Sequence, residues 1–110
     1  MKLPFNKRRI EHSHGVFDGT HPIIEAAEIE GIIVVIYDYM AFPSDSPARN
    51  LFAYKRSGEE LWRAQDIGAG STDAYTNLLS ESPFVVGNFA GAECTIDLRS
   101  GTVLRTVFTK

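Results

Sequence analysis

Asn50-Leu-Phe-Ala-Tyr-Lys-Arg-Ser-Gly-Glu-Glu-Leu-Trp-Arg-Ala64 recurs in pattern 43 positions later as Glu93-Cys-Thr-Ile-Asp-Leu-Arg-Ser-Gly-Thr-Val-Leu-Arg-Thr-Val107. Arg56-Ser57-Gly58 falls on Arg99-Ser100-Gly101, and Leu61 on Leu104. Each copy reads as strand, Ser-Gly turn, strand, because glycine supplies the positive φ that a tight hairpin needs. Two origins fit the likeness: a duplicated β-meander, or two hairpins that use the same turn independently. Both predict an all-β fold.

Outward from these hairpins, Ile32-Ile-Val-Val-Ile36 followed by Tyr37 is the strongest strand. Its β-branched residues run without alternation, the mark of burial on both faces. Residues 23–29 sit between Pro22 and Gly31 and read as a strand, with a helix as the alternative because Glu and Ala favour one. Further strands are expected at 50–56, 60–65, 75–79, 84–89, 92–98 and 102–108, and a short one near 14–18. The count is seven to eight, mostly joined by hairpins, so the sheet should be antiparallel. The whole chain is expected to form one domain, a small barrel or sandwich of two blade-like units, 23–65 and 75–108. Residues 1–20 precede them as a weakly ordered arm.

The repeat unit resembles the blades of quinoprotein-type (PQQ-like) propellers. Tyr54, Gly58, Leu61 and Trp62 match the blade pattern, in which the aromatic after the glycine turn docks on the neighbouring blade. In the second copy Gly101 and Leu104 match, but Arg105 stands in place of the tryptophan. Residues 97–110 also resemble the closing strand pair of small bacterial all-β proteins that bring no activity with them. Two units cannot close a propeller, so the resemblance implies no cofactor.

A chain of 110 residues with a net charge of −3 and scattered Lys and Arg carries no electrostatic footprint for nucleic acid. Lys7-Arg8-Arg9 reads as a solvated run. The one cysteine, Cys94, excludes an intrachain disulfide framework. No apolar run approaches the length of a membrane span, and the N-terminus lacks a secretion signal. A cytoplasmic protein without membrane contact is expected.

No catalytic set emerges. His12 and His14, with Asp18 and His21 nearby, have two-residue spacing on a strand, but zinc needs three or four converging ligands, and no metal is expected. Cys94 reads as a buried thiol, with no histidine tied to it. Gly68-Ala-Gly-Ser71 lacks both the nucleophile-elbow form and the lysine of a phosphate loop. Glu59-Glu60 follow a turn glycine and should face water.

The stretch Met40–Arg49, held by Pro43 and Pro47, is the candidate binding loop, since a rigid scaffold carries recognition on its loops. Tyr39 and Phe42 offer apolar surface, Asp45 and Arg49 complementary charge. Trp62 is either a core residue or a stacking platform. Strands 50–56 and 102–108 are apolar on both parities, which demands either a covering layer or self-association. The leading expectation is a non-catalytic interaction module that forms a homo-oligomer, a dimer or higher, and binds a protein or small molecule. An enzyme or carrier with an internal site lined by Tyr37, Tyr54, Tyr75 and Trp62 is the alternative, and an immunity-type inhibitor the third.

Overall fold

The computed structural model describes residues 1–109, in which antiparallel strands are joined by turns, loops and two short 3₁₀ segments. Strands β1 (Phe5–Asn6), β2 (Arg9–His12) and β3 (Gly15–Asp18) form one sheet. Strands β4 (Ile23–Ile29), β5 (Ile32–Tyr37), β6 (Leu51–Tyr54) and β7 (Glu60–Arg63) form a second. A third holds β8 (Tyr75–Ser80), β9 (Val85–Asn88), β10 (Ala92–Ile96) and β11 (Val103–Phe108). Each sheet is a meander in chain order, so every connection between paired strands is local.

The all-β, antiparallel expectation holds, and residues 23–29 are a strand rather than a helix. Two finer points are corrected. Among the described residues there are eleven strands rather than seven to eight, and their sheets stack instead of closing into a barrel. β3 is the short strand expected near 14–18, and the strands not foreseen, β1 and β2, lie in the first twelve residues. They are short and mostly charged or exposed, and only Ile10 of β2 is fully buried, so no periodic signal announces them.

The middle sheet explains the unbroken apolar run of β5. Val34 and Ile36 of β5, with Leu51 and Ala53 of β6, face a core shared with Tyr75, Val86, Cys94 and Ile96 of the third sheet. Their neighbours Ile33, Val35, Tyr37, Phe52 and Tyr54 face a second core that Leu3 and Ile10 close from the N-terminal side. Residues 1–20 are therefore the layer that covers the middle sheet. Each buried Ile, Val or Leu side chain stabilises the stack by about 1.5–3 kcal/mol.

Polar contacts pin the layers. Glu28 of β4 accepts from the Ser13 amide and hydroxyl (3.2 and 2.9 Å) and from Arg56 Nε and Nη2 (2.9 and 2.7 Å). Tyr37 and Tyr54 share a hydroxyl hydrogen bond of 2.6 Å inside the second core. Both Arg-Ser-Gly turns end on a left-handed glycine, Gly58 at φ 92° and Gly101 at φ 76°. The turns are not congruent: Lys55 pairs with Glu59 in the first, whereas Asp97 pairs with Thr102 in the second, one residue further apart.

Candidate functional site

A cleft of about 250 Å³ opens between the loop after β5, the turn before β8 and the end of β9. Its first wall starts where β5 stops. The Asp38 carboxylate accepts from the Met40 amide (2.9 Å) and caps a 3₁₀ turn over Tyr39–Ala41, which holds Tyr39 and Met40 outward. Phe42 turns back. Its ring lies 4.4 Å from the His21 ring, centroid to centroid, and the Arg63 guanidinium sits 5.7 Å from its centre.

The second wall is Ser71 and Thr72 of a 3₁₀ turn over Gly70–Thr72, with Ala74 and Phe89 beside it. Tyr39 and Phe89 meet edge to face across the opening at 5.9 Å, a favoured aromatic geometry. Ser44 and Ser46 complete the rim with hydroxyls. Met40 and Phe89 are 79% and 60% exposed, so the mouth presents apolar surface to water.

Beneath the cleft, buried polar side chains join loops that are distant in sequence. Asp73 Oδ2 accepts from the amides of Ile67 (2.7 Å) and Ala69 (3.1 Å), while its Oδ1 accepts from Asn88 Nδ2 (3.0 Å). The Asp73 carbonyl accepts from the Ala48 amide at 3.0 Å, fastening one wall to the other. Asn50 behaves as a piece of strand: its Nδ2 donates to the carbonyls of Tyr37 and Tyr75 (2.7 and 2.8 Å), and its Oδ1 accepts from the Tyr75 amide (2.8 Å). Arg63 donates to the carbonyls of Arg49 (2.8 Å) and Ala48 (2.9 Å) while its face covers the Phe52 ring at 5.1 Å. Partial burial, and then the charge of Arg49, lower the Arg63 pKa from its usual value. Buried groups satisfied in this way hold their partners rigidly.

The five residues expected to bind are distributed as follows. Tyr39 and Phe42 both line the cleft. Asp45 is exposed on the same loop and lies outside the lining. Arg49 points elsewhere, donating to the Ala64 carbonyl (3.0 Å) and bordering a shallow polar depression with Gln65 and Asp66. Trp62 lies in the core between the second and third sheets. Sequence reasoning missed Phe89, Ser71 and Thr72, which no local pattern ties to the 39–48 loop.

The other candidate groups are placed apart. His12 packs against Phe17, His14 accepts or donates at Ser13 Oγ, and His21 belongs to the Phe42 stack. Among the described residues no three His, Cys, Asp or Glu side chains are grouped to hold a metal ion. Cys94 is buried, and that burial pushes its thiol up to about 11. Tyr37 and Tyr54 lie on one face of the middle sheet, Tyr75 and Trp62 on the other, so these four do not enclose a common site.

Among the described residues the cleft lining holds no carboxylate, imidazole, amine, guanidinium or thiol. An apolar hollow with a few hydroxyls can receive an apolar group that bears a hydrogen-bonding atom. Fold and cleft together define an all-β protein of three stacked antiparallel meanders with one apolar recess at its loop end. The chain belongs to the family described as Domain of unknown function (DUF7957), which matches residues 5–108. No curated protein and no solved structure matches it.

Proposed function

We propose that this protein is a non-catalytic binding module. Its cleft takes an apolar or aromatic group bearing a hydrogen-bonding atom, presented by a protein or a small molecule. One observation carries the reading: Tyr39, Met40, Phe42 and Phe89 surround a hollow whose walls are tied from beneath, so exposed apolar surface is held open rather than collapsed. Keeping such surface in water costs free energy, and a ligand that covers it recovers that cost.

Self-association through β surfaces belongs to the same reading. The N-terminal layer covers β6, which leaves β11 as the strand that supports it. The two four-stranded meanders, each turning on Arg-Ser-Gly, are in keeping with blade-like units, and no cofactor enters the proposal. A cytoplasmic location is part of it too, in line with the buried thiol. No helix among the described residues is long and apolar enough to cross a membrane.

A fragment screen read by protein NMR tests the cleft. Aromatic and short aliphatic compounds should shift the signals of Tyr39, Met40 and Phe89, and Phe89→Ser should abolish those shifts. Hits that cluster instead around Arg49, Gln65 and Asp66, or none at millimolar concentration, would overturn the assignment.

A further inference from the structure

Among the described residues five sheet edges lie besides that of β11: β1 and β3 are only two and four residues long, and the other three are blunted. Along β4, residues 1–3 add backbone hydrogen bonds from the Leu3 amide to the Ala26 carbonyl (2.9 Å) and from the Glu28 amide to the Met1 carbonyl (2.9 Å). Strand β8 has two register irregularities, and the Leu78 amide donates to the Glu25 carboxylate (2.6 Å). Strand β7 has only four residues, with a charge at each end in Glu60 and Arg63. Strand β11 has six, Val103-Leu-Arg-Thr-Val-Phe108, without proline; its one register irregularity lies at Leu104, Arg105–Phe108 run regularly, and among the described residues no strand pairs with its outer edge. Leu104 and Phe108 are 62% and 58% exposed on it. Edges of this kind invite strand addition.

The inward and outward residues of β11 can be told apart. Thr109 donates to the Gly91 carbonyl (2.8 Å), and the register pairs Glu93 with Val107 and Cys94 with Thr106. Hydrogen-bonded pairs alternate along an antiparallel ladder, so Val107 bonds inward to β10 while the amide and carbonyl of Thr106 and Phe108 point to the open edge.

We infer that a second copy of this chain occupies that edge, β11 pairing antiparallel with the partner's β11 about a two-fold axis at Thr106. This rests on the self-association reading and adds its surface and register. A two-fold perpendicular to the sheet keeps each side chain on its own face, so the axis must fall beside a single residue. Centring it on Arg105 sets two guanidiniums directly opposite, which is destabilising. Centring it on Val107 sets Arg105 opposite Thr109, whose neighbour across the sheet is Gly91 and not a carboxylate. Centring it on Thr106 keeps the pairing in the regular part of β11, Arg105–Phe108, clear of the register irregularity opposite Thr95 and Ile96, and brings the exposed Phe108 against the partner strand.

The opposite face agrees. Arg105 then lies opposite Val107 of the other copy, whose neighbour on β10 is Glu93, an exposed carboxylate. Strands are spaced about 4.8 Å apart, so Arg105 and that Glu93 are about 10 Å apart at the backbone, within reach of the two side chains. Two such ion pairs form per dimer. The product is one continuous eight-stranded sheet.

Analytical ultracentrifugation of four proteins tests this. The wild type should sediment as a dimer of the 12.2 kDa chain. Thr106→Pro should be monomeric yet still fold and melt cooperatively, since the lost amide faces the open edge and serves no bond to β10. Arg105→Glu should weaken the dimer about tenfold, a loss of about 1.4 kcal/mol. Adding Glu93→Arg to it should restore the affinity. A monomeric wild type overturns the self-association reading and this inference with it. A wild-type dimer that survives Thr106→Pro, or a charge reversal without rescue, overturns the β11 register alone.

Discussion

The indole N–H of Trp62 donates to the carbonyl of Leu98 at 2.8 Å, and the Gly101 backbone lies against the face of the same ring. Trp62 follows the first Arg-Ser-Gly turn, while Leu98 and Gly101 belong to the second, so the two hairpins clasp each other between sheets. A Cβ on Gly101 would stand 2.5 Å from the ring, and its φ of 76° is left-handed. Gly101→Ala should therefore destabilise by about 2–4 kcal/mol, from strain at positive φ plus overpacking. Trp62→Phe should cost about 1–3 kcal/mol by removing the donor and leaving the Leu98 carbonyl unpaired. Urea midpoints for both variants decide the point, and a Gly101→Ala protein as stable as wild type would contradict the packing described.

Asn50 is fully buried and satisfies three backbone groups, on Tyr37 and Tyr75. Replacing it with alanine leaves the Tyr75 amide and two carbonyls in a dry core. The expected loss is about 3 kcal/mol or more, given about 1–3 kcal/mol for each orphaned buried group. Asn50→Asp should be worse at neutral pH, because its carboxylate would face two carbonyl oxygens. Amide exchange at Tyr75 should accelerate most.

Glu28 predicts a pH dependence with a definite sign. Burial pushes its carboxyl up, but the Arg56 and Ser13 hydrogen bonds outweigh burial and hold it at about 2, against an ordinary value of 4.5. The folded state therefore holds its proton less tightly than the unfolded chain. The resulting stability is present above pH 4.5 and is lost as pH falls from 4.5 towards 2. Unfolding midpoints measured across pH 2.5–6 should show a slope in the wild type that Glu28→Gln reduces.

Phe89 and Met40 are exposed, and the cleft is held open by groups beneath them. Phe89→Ser and Met40→Ser should thus change stability by only about 0.5 kcal/mol. Thermal melts of the two variants would show otherwise if the cleft depended on its own mouth.

Cys94, buried and with its thiol raised to about 11, should stay protonated at pH 8. Reaction with an aromatic disulfide reagent should then follow opening of the fold and speed up with denaturant. Fast labelling of the native protein would show the third sheet opening without unfolding.

Much of the fold was legible because its causes are local. Continuous apolar residues over Ile32–Tyr37 require burial on both sides, and the structure places a core on each side. Glycines at 58 and 101 require hairpin turns, and hairpins sit there. What escaped was most of the N-terminal sheet, β1 and β2 beside the strand expected near 14–18, whose strands offer one fully buried side chain, Ile10, in place of a periodic pattern. Strand 50–56 posed the question of what covers its second apolar face, and only the folded chain answers it with residues 1–20.

The site was half legible for a related reason. Tyr39 and Phe42 stood out because a proline-bound loop without a structural duty is a place for recognition. Phe89, Ser71 and Thr72 carry no such signal. They reach the 39–48 loop through Asp73, Asn50 and Arg63, whose hydrogen bonds run largely to backbone atoms, and any sequence supplies backbone atoms. Residue order alone thus determined the strands of the two four-stranded sheets, where they turn, and that one of them lies between two cores, since side-chain alternation and left-handed φ act within a few residues. Only the tertiary structure decided which layers stack, which aromatics share a hollow and which edge stays open, since those depend on contacts between residues tens of positions apart.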